Sequence, residues 1–286
     1  MHRGRLPGVL ALMAALLLLW LGVRTFDTLD TQSEDALVIT ALSVGKADAL
    51  IVRQGEQVLL IDAGEEDDGD DIVRFLRDRG IEQIDLFLIT HFDKDHVGGA
   101  AQVADQMEVS AVLMPDYEGD RPEYRKFLEV LEGHPDVRRV RTPVELLSLG
   151  AMEVTVYPAA CPQTIRDTEE EYDNDLSLVT SIRYRDKSFL LTGDIEEERI
   201  GQMLREDVDW KHDWIKMPHH GRYQKALEDL LDAVSPEAAV ICCSDKNPAE
   251  EKTLSLLQEK GISVWDTRDH NVVTVCDGEH IKIKQE

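Results

Sequence analysis

The densest group of chemically active side chains lies between residues 90 and 99. His91, Asp93, Asp95 and His96 fall within six residues, directly after an apolar run. A mixture of imidazole and carboxylate suits zinc or manganese, whereas calcium prefers oxygen ligands alone. Burying these ionisable groups beside an apolar strand is costly without a cation. We therefore predict a metal site, with a solvated acidic turn as the alternative.

Three further motifs place polar side chains after apolar runs. They are centred on Asp62, Asp194 and the pair His219 and His220. A carboxylate at Asp194 is suited to bridging two metals, and its alternative role is to cap the following helix. For Asp62 the alternative is a turn, and for the histidines it is one packed and one exposed ring. Each of these motifs taken alone is a weak signal.

Regular elements must hold these groups, and each motif lies at the end of a predicted strand. Apolar and β-branched content predicts those strands, and the run 84–90 is apolar enough for burial on both faces. A helix is predicted over 72–79, from its apolar face. Strands and helices continue without a Pro-, Gly- or Ser-rich linker, which predicts one α/β domain over 36–286. The strands that precede the motifs are residues 57–61, 84–90, 188–191 and 214–217.

The charge balance restricts the partners. The 286 residues contain 57 acidic and 31 basic side chains, a formal net charge of −26. Such a surface repels polyanions, so phosphate chemistry requires a local positive centre such as a bound metal. None of the four cysteines has Cys-x-x-Cys spacing, which excludes a thiolate zinc ribbon. Cys242 and Cys243 are expected to be small core residues, and His212 is expected at the surface.

The N-terminus has the pattern of a targeting signal. Residues 1–5 are basic, and residues 6–23 are uncharged and apolar or small. The run is just long enough to span a bilayer, and it has neither a clear Ala-x-Ala site nor a lipobox cysteine. We predict a signal anchor at 1–24 and a polar tether at 25–35, giving a single-pass cell-membrane protein with an extracytoplasmic domain. A cleaved signal peptide and secretion are the alternative.

The order of the motifs resembles the metallo-β-lactamase fold. Within that fold, the chain is similar to the hydrolase domain of ComEC-type DNA-uptake competence proteins. His-x-Asp-x-Asp-His stands at 91–96, where most of the superfamily has His-x-His-x-Asp-His. Val-Gly-Lys-Ala-Asp-Ala at 44–49 and Asn-Asp-Leu-Ser-Leu-Val at 174–179 match two more elements of this subfamily. The resemblance covers about 37–283.

The resemblance implies an αββα sandwich, preceded by one N-terminal apolar helix. It also implies two divalent metal ions, with Zn²⁺ as the first choice and Mn²⁺ as the alternative. His91 and Asp93 are then the ligands of one ion, and Asp194 bridges the two. The ligands of the second ion are Asp95, His96 and His220.

The resemblance assigns further roles. Asp62, Asn174 and Ser177 are expected to support the ligands through hydrogen bonds. Asp95 and His219 are expected to be catalytic, although the two adjacent histidines can exchange roles. Independently of the resemblance, the positive charges of Lys46 and Arg222 are expected to bind the substrate by helping to stabilise its phosphoryl oxygens.

Three departures from the family pattern bear on these roles. Asn174 and Ser177 stand where the wider superfamily has a histidine, which weakens the first metal site. Arg222 replaces a usual Ser or Thr, and residues 244–248 lack a histidine that competence proteins often have there. The last two departures affect the expected substrate more than the metal.

The function predicted from this pattern is a metal-dependent hydrolase, a phosphodiesterase or nuclease that uses a hydroxide bridging its metals. The substrate is then nucleic acid or a smaller phosphodiester. One alternative keeps the metals but attacks a carbonyl in a lactone, β-lactam or thioester. Another is a surface binding module with a degenerate metal site. The N-terminal span implies a membrane partner, and no protein partner is inferred.

Overall fold

A computed structural model describes residues 35–146, 149–159 and 172–286. The predicted anchor at 1–24 lies outside the described residues, as do the tether up to residue 34 and Cys161. Within the described ranges, no helix combines the length and the apolar character that crossing a membrane requires.

Strands of the described residues form two large sheets and a small one. The first large sheet has eight strands and the second has seven. The strands are β1 (Leu37–Ala41), β2 (Leu50–Gln54), β3 (Gln57–Ile61), β4 (Gln83–Ile84), β5 (Leu86–Leu88), β6 (Glu108–Val109), β7 (Val112–Pro115), β8 (Val137–Val140), β9 (Val144–Leu146), β10 (Glu153–Tyr157), β11 (Val179–Tyr184), β12 (Lys187–Leu191), β13 (Trp214–Lys216), β14 (Ala238–Ile241), β15 (Ser263–Asp266), β16 (Val272–Cys276) and β17 (Ile281–Gln285). The strand orders are β17-β16-β1-β2-β3-β5-β7-β8 and β15-β14-β13-β12-β11-β10-β9, and β4 pairs with β6.

Helices cover the outer faces of both large sheets. In the part of the chain that the structure describes, they are α1 (Gly69–Asp78), α2 (Lys94–Val97), α3 (Ala100–Gln106), α4 (Pro122–Val130), α5 (Glu197–Met203), α6 (Leu227–Val234) and α7 (Glu251–Glu259). Short 3-10 turns occur at Glu66–Asp68, Asn174–Leu176 and Pro218–Gly221. The predicted helix at 72–79 is α1, which buries Ile72, Val73 and Leu76 against the first sheet.

Three apolar layers give an αββα sandwich, which confirms the predicted fold. The middle layer lies between the sheets, where Leu59 and Leu88 of the first sheet share a cluster with Phe189 and Trp214 of the second. One outer layer joins the first sheet to α1, α3 and α4. The other joins the second sheet to α5, α6 and α7. The central strands of each sheet are buried on both faces, and that burial is the main stabilising contribution to the fold.

Parallel pairing collects the motifs at one edge of the sandwich. β3 pairs in parallel with β5, and β12 pairs in parallel with β13. Because parallel strands end at the same edge of a sheet, Asp62 and His91 emerge together from the first sheet. Asp194 and His219 emerge together from the second. A backbone hydrogen bond of 2.9 Å from Leu178 N to Thr90 O ties the two edges together.

Two sequence predictions are corrected by the structure. The expected single strand 84–90 is broken at Asp85, whose N–H and side chain both bond to Val58, so that β4 leaves the large sheet. His212 is buried instead of exposed. Its Nε2 lies 2.7 Å from Ser181 Oγ and its Nδ1 lies 2.8 Å from Trp210 O, so both ring nitrogens have partners. Cys242 and Cys243 are buried free thiols, as predicted.

Candidate metal centre

Asp62 fixes the loop that carries the first motif. This fully buried residue follows β3 with a positive φ of 59°. Its carboxylate accepts hydrogen bonds from Thr90 N and Thr90 Oγ1, each at 2.7 Å, and from His96 Nδ1 at 2.8 Å. Because Nδ1 donates to a carboxylate, the lone pair of neutral His96 lies on Nε2 and points away from Asp62.

The paired glycines at the end of this motif allow a close backbone approach. A Cβ atom on Gly99 would lie 2.7 Å from the N and Cα atoms of Gly69, closer than real Cβ atoms approach. Ala63 N donates to His96 O at 2.8 Å, so α2 is held directly against the end of β3. The glycines therefore bring the ligand-bearing loop down onto the strand edge.

The Pro-His-His-Gly turn has an unusual backbone. His219 and His220 have φ values of 45° and 53°, in the left-handed region that side chains rarely adopt. Each such residue costs on the order of 1–3 kcal/mol, and strain of this kind concentrates at functional sites. His220 Nδ1 lies 3.0 Å from Cys242 O, which directs its Nε2 toward the other motifs. The strained backbone of this turn therefore orients the His220 imidazole toward the other motifs.

Four side chains converge at the sheet edge. Asp194 Oδ2 lies 3.3 Å from His96 Nε2 and 3.1 Å from His220 Nε2. Asp95 Oδ2 lies 3.4 Å from the same His220 atom. Burial alone would raise the pKa of Asp194, but attraction to His220, His96 and Lys216 holds it well below the ordinary value. The centre therefore keeps an ionised carboxylate between two imidazoles.

These donors fit a divalent cation. The Nε2 atoms of His96 and His220 are buried and make no hydrogen bond to any described group, although Asp194 lies nearby. Lone pairs that face a carboxylate without hydrogen-bond geometry are typical of ligands arranged around a shared cation. Their Nδ1 atoms already have partners, which fixes the orientation of both rings. Two imidazoles and two carboxylates match the donor set of zinc or manganese.

Asp48 and Lys216 belong to this centre and were missed as site residues. Atoms of Asp48, His96, Asp194 and His220 all lie within 4.8 Å of one another. However, the contacts of Asp48 are with the Nδ1 atoms, at 3.9 Å from His96 and 3.5 Å from His220. Asp48 also pairs with the buried Lys216 ammonium. We therefore place it behind the ligands and retain Asp95 as the second carboxylate.

Lys216 neutralises the back of the centre. It is fully buried in β13, and its Nζ lies 3.0 Å from Gly193 O and 3.3 Å from Asp194 Oδ1. Burial would lower its pKa, but the carboxylates of Asp48 and Asp194 raise it well above the usual lysine value. A lysine inside an apolar run, directly before the histidine turn, was the sequence signal that could have revealed it.

The other predicted ligands form a looser group. His91 is fully buried, and its Nε2 is 3.9 Å from Asp93 Oδ2. Its Nδ1 lies 3.1 Å from Thr90 Oγ1 and 3.2 Å from Ser177 Oγ. Burial lowers the pKa of His91 well below the ordinary value, so the ring is neutral and able to bind a cation. Asp93, however, accepts two hydrogen bonds from Arg121, at 2.9 and 3.2 Å.

Comparison with known proteins agrees with this architecture. Residues 42–170 match the model of the metallo-beta-lactamase superfamily. A solved metal-dependent hydrolase of the beta-lactamase superfamily superposes with a TM-score of 0.55 at 15% identity, covering 87% of this chain and 100% of the other. The chain has the metallo-beta-lactamase fold. The buried group described above is a candidate site for a divalent metal ion in this fold.

Two curated proteins are relatives of this metallo-beta-lactamase-fold chain. ComE operon protein 3 of Bacillus subtilis is 26% identical over 206 residues, covering 71% of this chain and 26% of that protein. Recombination protein 2 of Haemophilus influenzae is 23% identical over 228 residues, covering 73% and 24%. The chain is therefore similar in sequence to these two proteins, and it spans about a quarter of the length of the curated relatives it matches.

His219 is held by a residue that sequence reasoning also missed. Glu196 Oε1 lies 2.6 Å from His219 Nδ1 and 3.3 Å from Asn174 Nδ2. The nearby His219 imidazole lowers the pKa of Glu196 despite the partial burial of that carboxylate. Asn174, expected to support a metal ligand, therefore contacts Glu196. Ser177 contacts His91 and accepts a hydrogen bond of 3.2 Å from Asp194 N.

The predicted substrate-binding side chains line one cavity of this metallo-beta-lactamase-fold domain. The cavity measures about 400 Å³ and is bordered by His219 and His220. Lys46 and Arg222 lie on its wall, together with Lys246 of the loop that follows β14. Lys46 Nζ is also 3.4 Å from Asp95 Oδ2, so this lysine connects the cavity to the centre.

Proposed function

We propose that the protein is a metal-dependent phosphodiesterase that acts on nucleic acid. The observation that carries the proposal is the position of the basic cavity beside the buried group of His96, His220 and Asp194. In a protein with a net charge of −26, basic side chains beside a candidate metal centre favour an anionic substrate there. A carbonyl substrate without charge would not require them.

The proposed chemistry assigns the ligands first. His96, His220, Asp95 and Asp194 hold the tighter divalent cation, with zinc preferred and manganese as the alternative. His91 and Asp93 contribute to a second, weaker site. A bound divalent cation lowers the pKa of water and stabilises negative charge that develops on a phosphoryl group.

The other residues position and protonate the substrate. Lys46 and Arg222 hold the phosphate through charge-assisted hydrogen bonds. Glu196 orients His219 through Nδ1, which leaves its Nε2 to donate a proton to the leaving oxygen. The name of one relative, Recombination protein 2, also supports a nucleic-acid substrate.

Hydrolysis of model substrates by the full-length chain tests the proposal. With added zinc or manganese, we expect turnover of bis-p-nitrophenyl phosphate and of a labelled oligonucleotide, and loss of both with a chelator. Nitrocefin and a simple lactone should not be turned over. Asp186→Asn, in an exposed hairpin turn, is the control for Asp194→Asn, which should be inactive.

Two results contradict the phosphodiesterase proposal. Turnover of the lactone or nitrocefin without phosphodiester cleavage would indicate carbonyl chemistry at the same centre. Less than one metal ion per chain, after purification without chelators, would indicate a binding module with a degenerate site.

We also propose that residues 6–23 anchor the protein in a membrane. The support is the uncharged apolar run that follows a basic N-terminus. Alkaline carbonate should leave the full-length chain in the membrane fraction and should release a variant that lacks residues 1–24. Release of both forms would contradict the anchor.

A further inference from the structure

The basic cavity contains a cation that the proposed mechanism leaves without a role. Lys246 lies on the cavity wall, in the loop between β14 and α7, and its side chain is exposed. Among the described residues it has no carboxylate within 4 Å, whereas Lys46 is paired with Asp95 and Arg222 lies 3.5 Å from Glu196. One cation of the cavity is therefore free to bind an external anion.

The loop that carries Lys246 is fixed relative to the metal centre. Ser244 and Asn247 exchange backbone hydrogen bonds of 3.2 and 3.1 Å, which closes a tight turn around Lys246. Glu250 N donates to Gly221 O at 3.1 Å, so the loop is attached to the histidine turn. The backbone position of Lys246 is thus set by the same turn that aims His220.

Close packing reinforces this attachment. Gly221 has a φ of 79°, and a Cβ atom there would lie 2.8 Å from the Cβ of Ala249. A residue with a side chain at position 221 would push the loop away from the turn. The chain therefore keeps Lys246 at a defined place beside the centre.

Charge in the cavity favours a phosphate over a neutral group. Glu250 is the one acidic side chain on the described wall, and Lys46, Arg222 and Lys246 outnumber it. Lys46 and Arg222 lie near groups of the centre, where the proposed mechanism places the phosphate that is cleaved. The unpaired Lys246 ammonium at the cavity wall can bind a second phosphate of the same nucleic-acid strand.

We propose that Lys246 forms a binding subsite for the phosphate next to the scissile one. The preferred substrate is then a nucleic-acid strand, which has several phosphates, instead of an isolated phosphodiester. The inference rests on the proposed phosphodiesterase function and adds substrate selectivity to it. An ammonium binds a phosphate as a point charge, so the subsite recognises the backbone and not the base.

Substrate preference in a Lys246→Ala variant tests the subsite. The measurement is the ratio of kcat/KM for a short single-stranded oligonucleotide to kcat/KM for bis-p-nitrophenyl phosphate. We expect that ratio to fall about 10-fold in Lys246→Ala, the size of one lost charged hydrogen bond. Lys225→Ala is the matched control, because Lys225 is exposed nearby and does not line the cavity. Its ratio should equal that of the wild type.

The salt dependence gives a second measurement that a structural effect would not change. In Lys246→Ala, the slope of log binding constant against log salt concentration should become shallower by about 0.7, the value for one phosphate contact on a single strand. Fluorescence anisotropy of a labelled oligonucleotide, with calcium replacing the activating metal, provides this slope.

The outcomes separate the two proposals. If the wild type cleaves both substrates and Lys246→Ala matches Lys225→Ala in ratio and slope, the subsite is wrong and the phosphodiesterase function stands. If the wild type cleaves neither substrate, the phosphodiesterase function fails and the subsite fails with it.

Discussion

The two halves of the candidate metal centre differ in how much of the protein holds them. On one side, His96 and His220 have their Nδ1 atoms bonded to Asp62 and to Cys242 O, and both Nε2 atoms face Asp194. On the other side, His91 lies 3.9 Å from an Asp93 that is already engaged by Arg121. Similar ligand types in the sequence therefore do not produce metal sites that the fold holds equally well. The difference lies in the carboxylates, because Asp194 faces two imidazoles whereas Asp93 already accepts hydrogen bonds from Arg121.

We call the group of His96, His220 and Asp194 the better-held half of the centre. Asp194→Asn should have the largest effect, because the Asp194 carboxylate faces both imidazoles of this half. A four-ligand site with an apparent binding free energy of about 10–16 kcal/mol loses roughly a quarter of it with one ligand, several hundred-fold in affinity. We expect metal content to fall to background and hydrolysis to disappear. Metal analysis after gel filtration measures this. Retention of one ion per chain would show that the better-held half is not the tight site.

Lys216→Met should cause the next largest change, in stability. Removing the ammonium leaves Asp48 and Asp194 buried together without compensation, and breaking such a pair costs about 3–5 kcal/mol. We expect the free energy of unfolding in urea, followed by tryptophan fluorescence with a chelator present, to fall by that amount. Added metal should restore part of the loss by neutralising Asp194.

Lys284→Met is the control for this stability measurement. Lys284 pairs with Glu286 at the exposed end of β17, and such surface pairs contribute at most about 1 kcal/mol. Equal effects of the two substitutions would show that the Lys216 ammonium does not compensate the carboxylates.

His91→Ala tests the weaker half of the centre, which His91 and Asp93 form. The His91 ring packs on the His96 ring, with centroids 4.1 Å apart, but His91 is not in the buried group of His96, Asp194 and His220. The tight ion should therefore remain, with its affinity changed by no more than about 10-fold. Any second ion should be lost, and hydrolysis should fall. Isothermal titration with zinc measures both sites. If His91→Ala removes all metal as Asp194→Asn does, the two halves form one inseparable site.

The sequence predicted the residues of the better-held half more fully than their supports. His96, Asp194 and His220 could be found because each lies in a motif at a strand end, and strand ends are readable from apolar runs. Lys216 could not be placed, because its partner Asp48 lies in a loop of the other large sheet, 168 residues earlier in the chain. Contacts of this kind depend on how two sheets pack, and local pattern carries no information about that.

The same limit explains Arg121 and the break at Asp85. Arg121 precedes α4 and reaches Asp93 only because the two loops meet over the edge of the first sheet. Asp85 interrupts an apolar run through one side-chain bond to Val58. In both cases a single polar contact between distant segments overrides the pattern on which a sequence prediction depends.

Arg121→Ala should have the smallest effect, and in the opposite direction. The side chain is half exposed, so its ion pair with Asp93 contributes at most about 1 kcal/mol, equivalent to roughly 5-fold in affinity. Removing it frees an Asp93 oxygen for the weaker half, which should then bind a second ion up to about 5-fold more tightly. Titration of the zinc-loaded protein with manganese measures this change, and Arg125→Ala, one turn along α4, is the control. A weaker second site in Arg121→Ala would show that the guanidinium orients Asp93 as a ligand instead of competing for it.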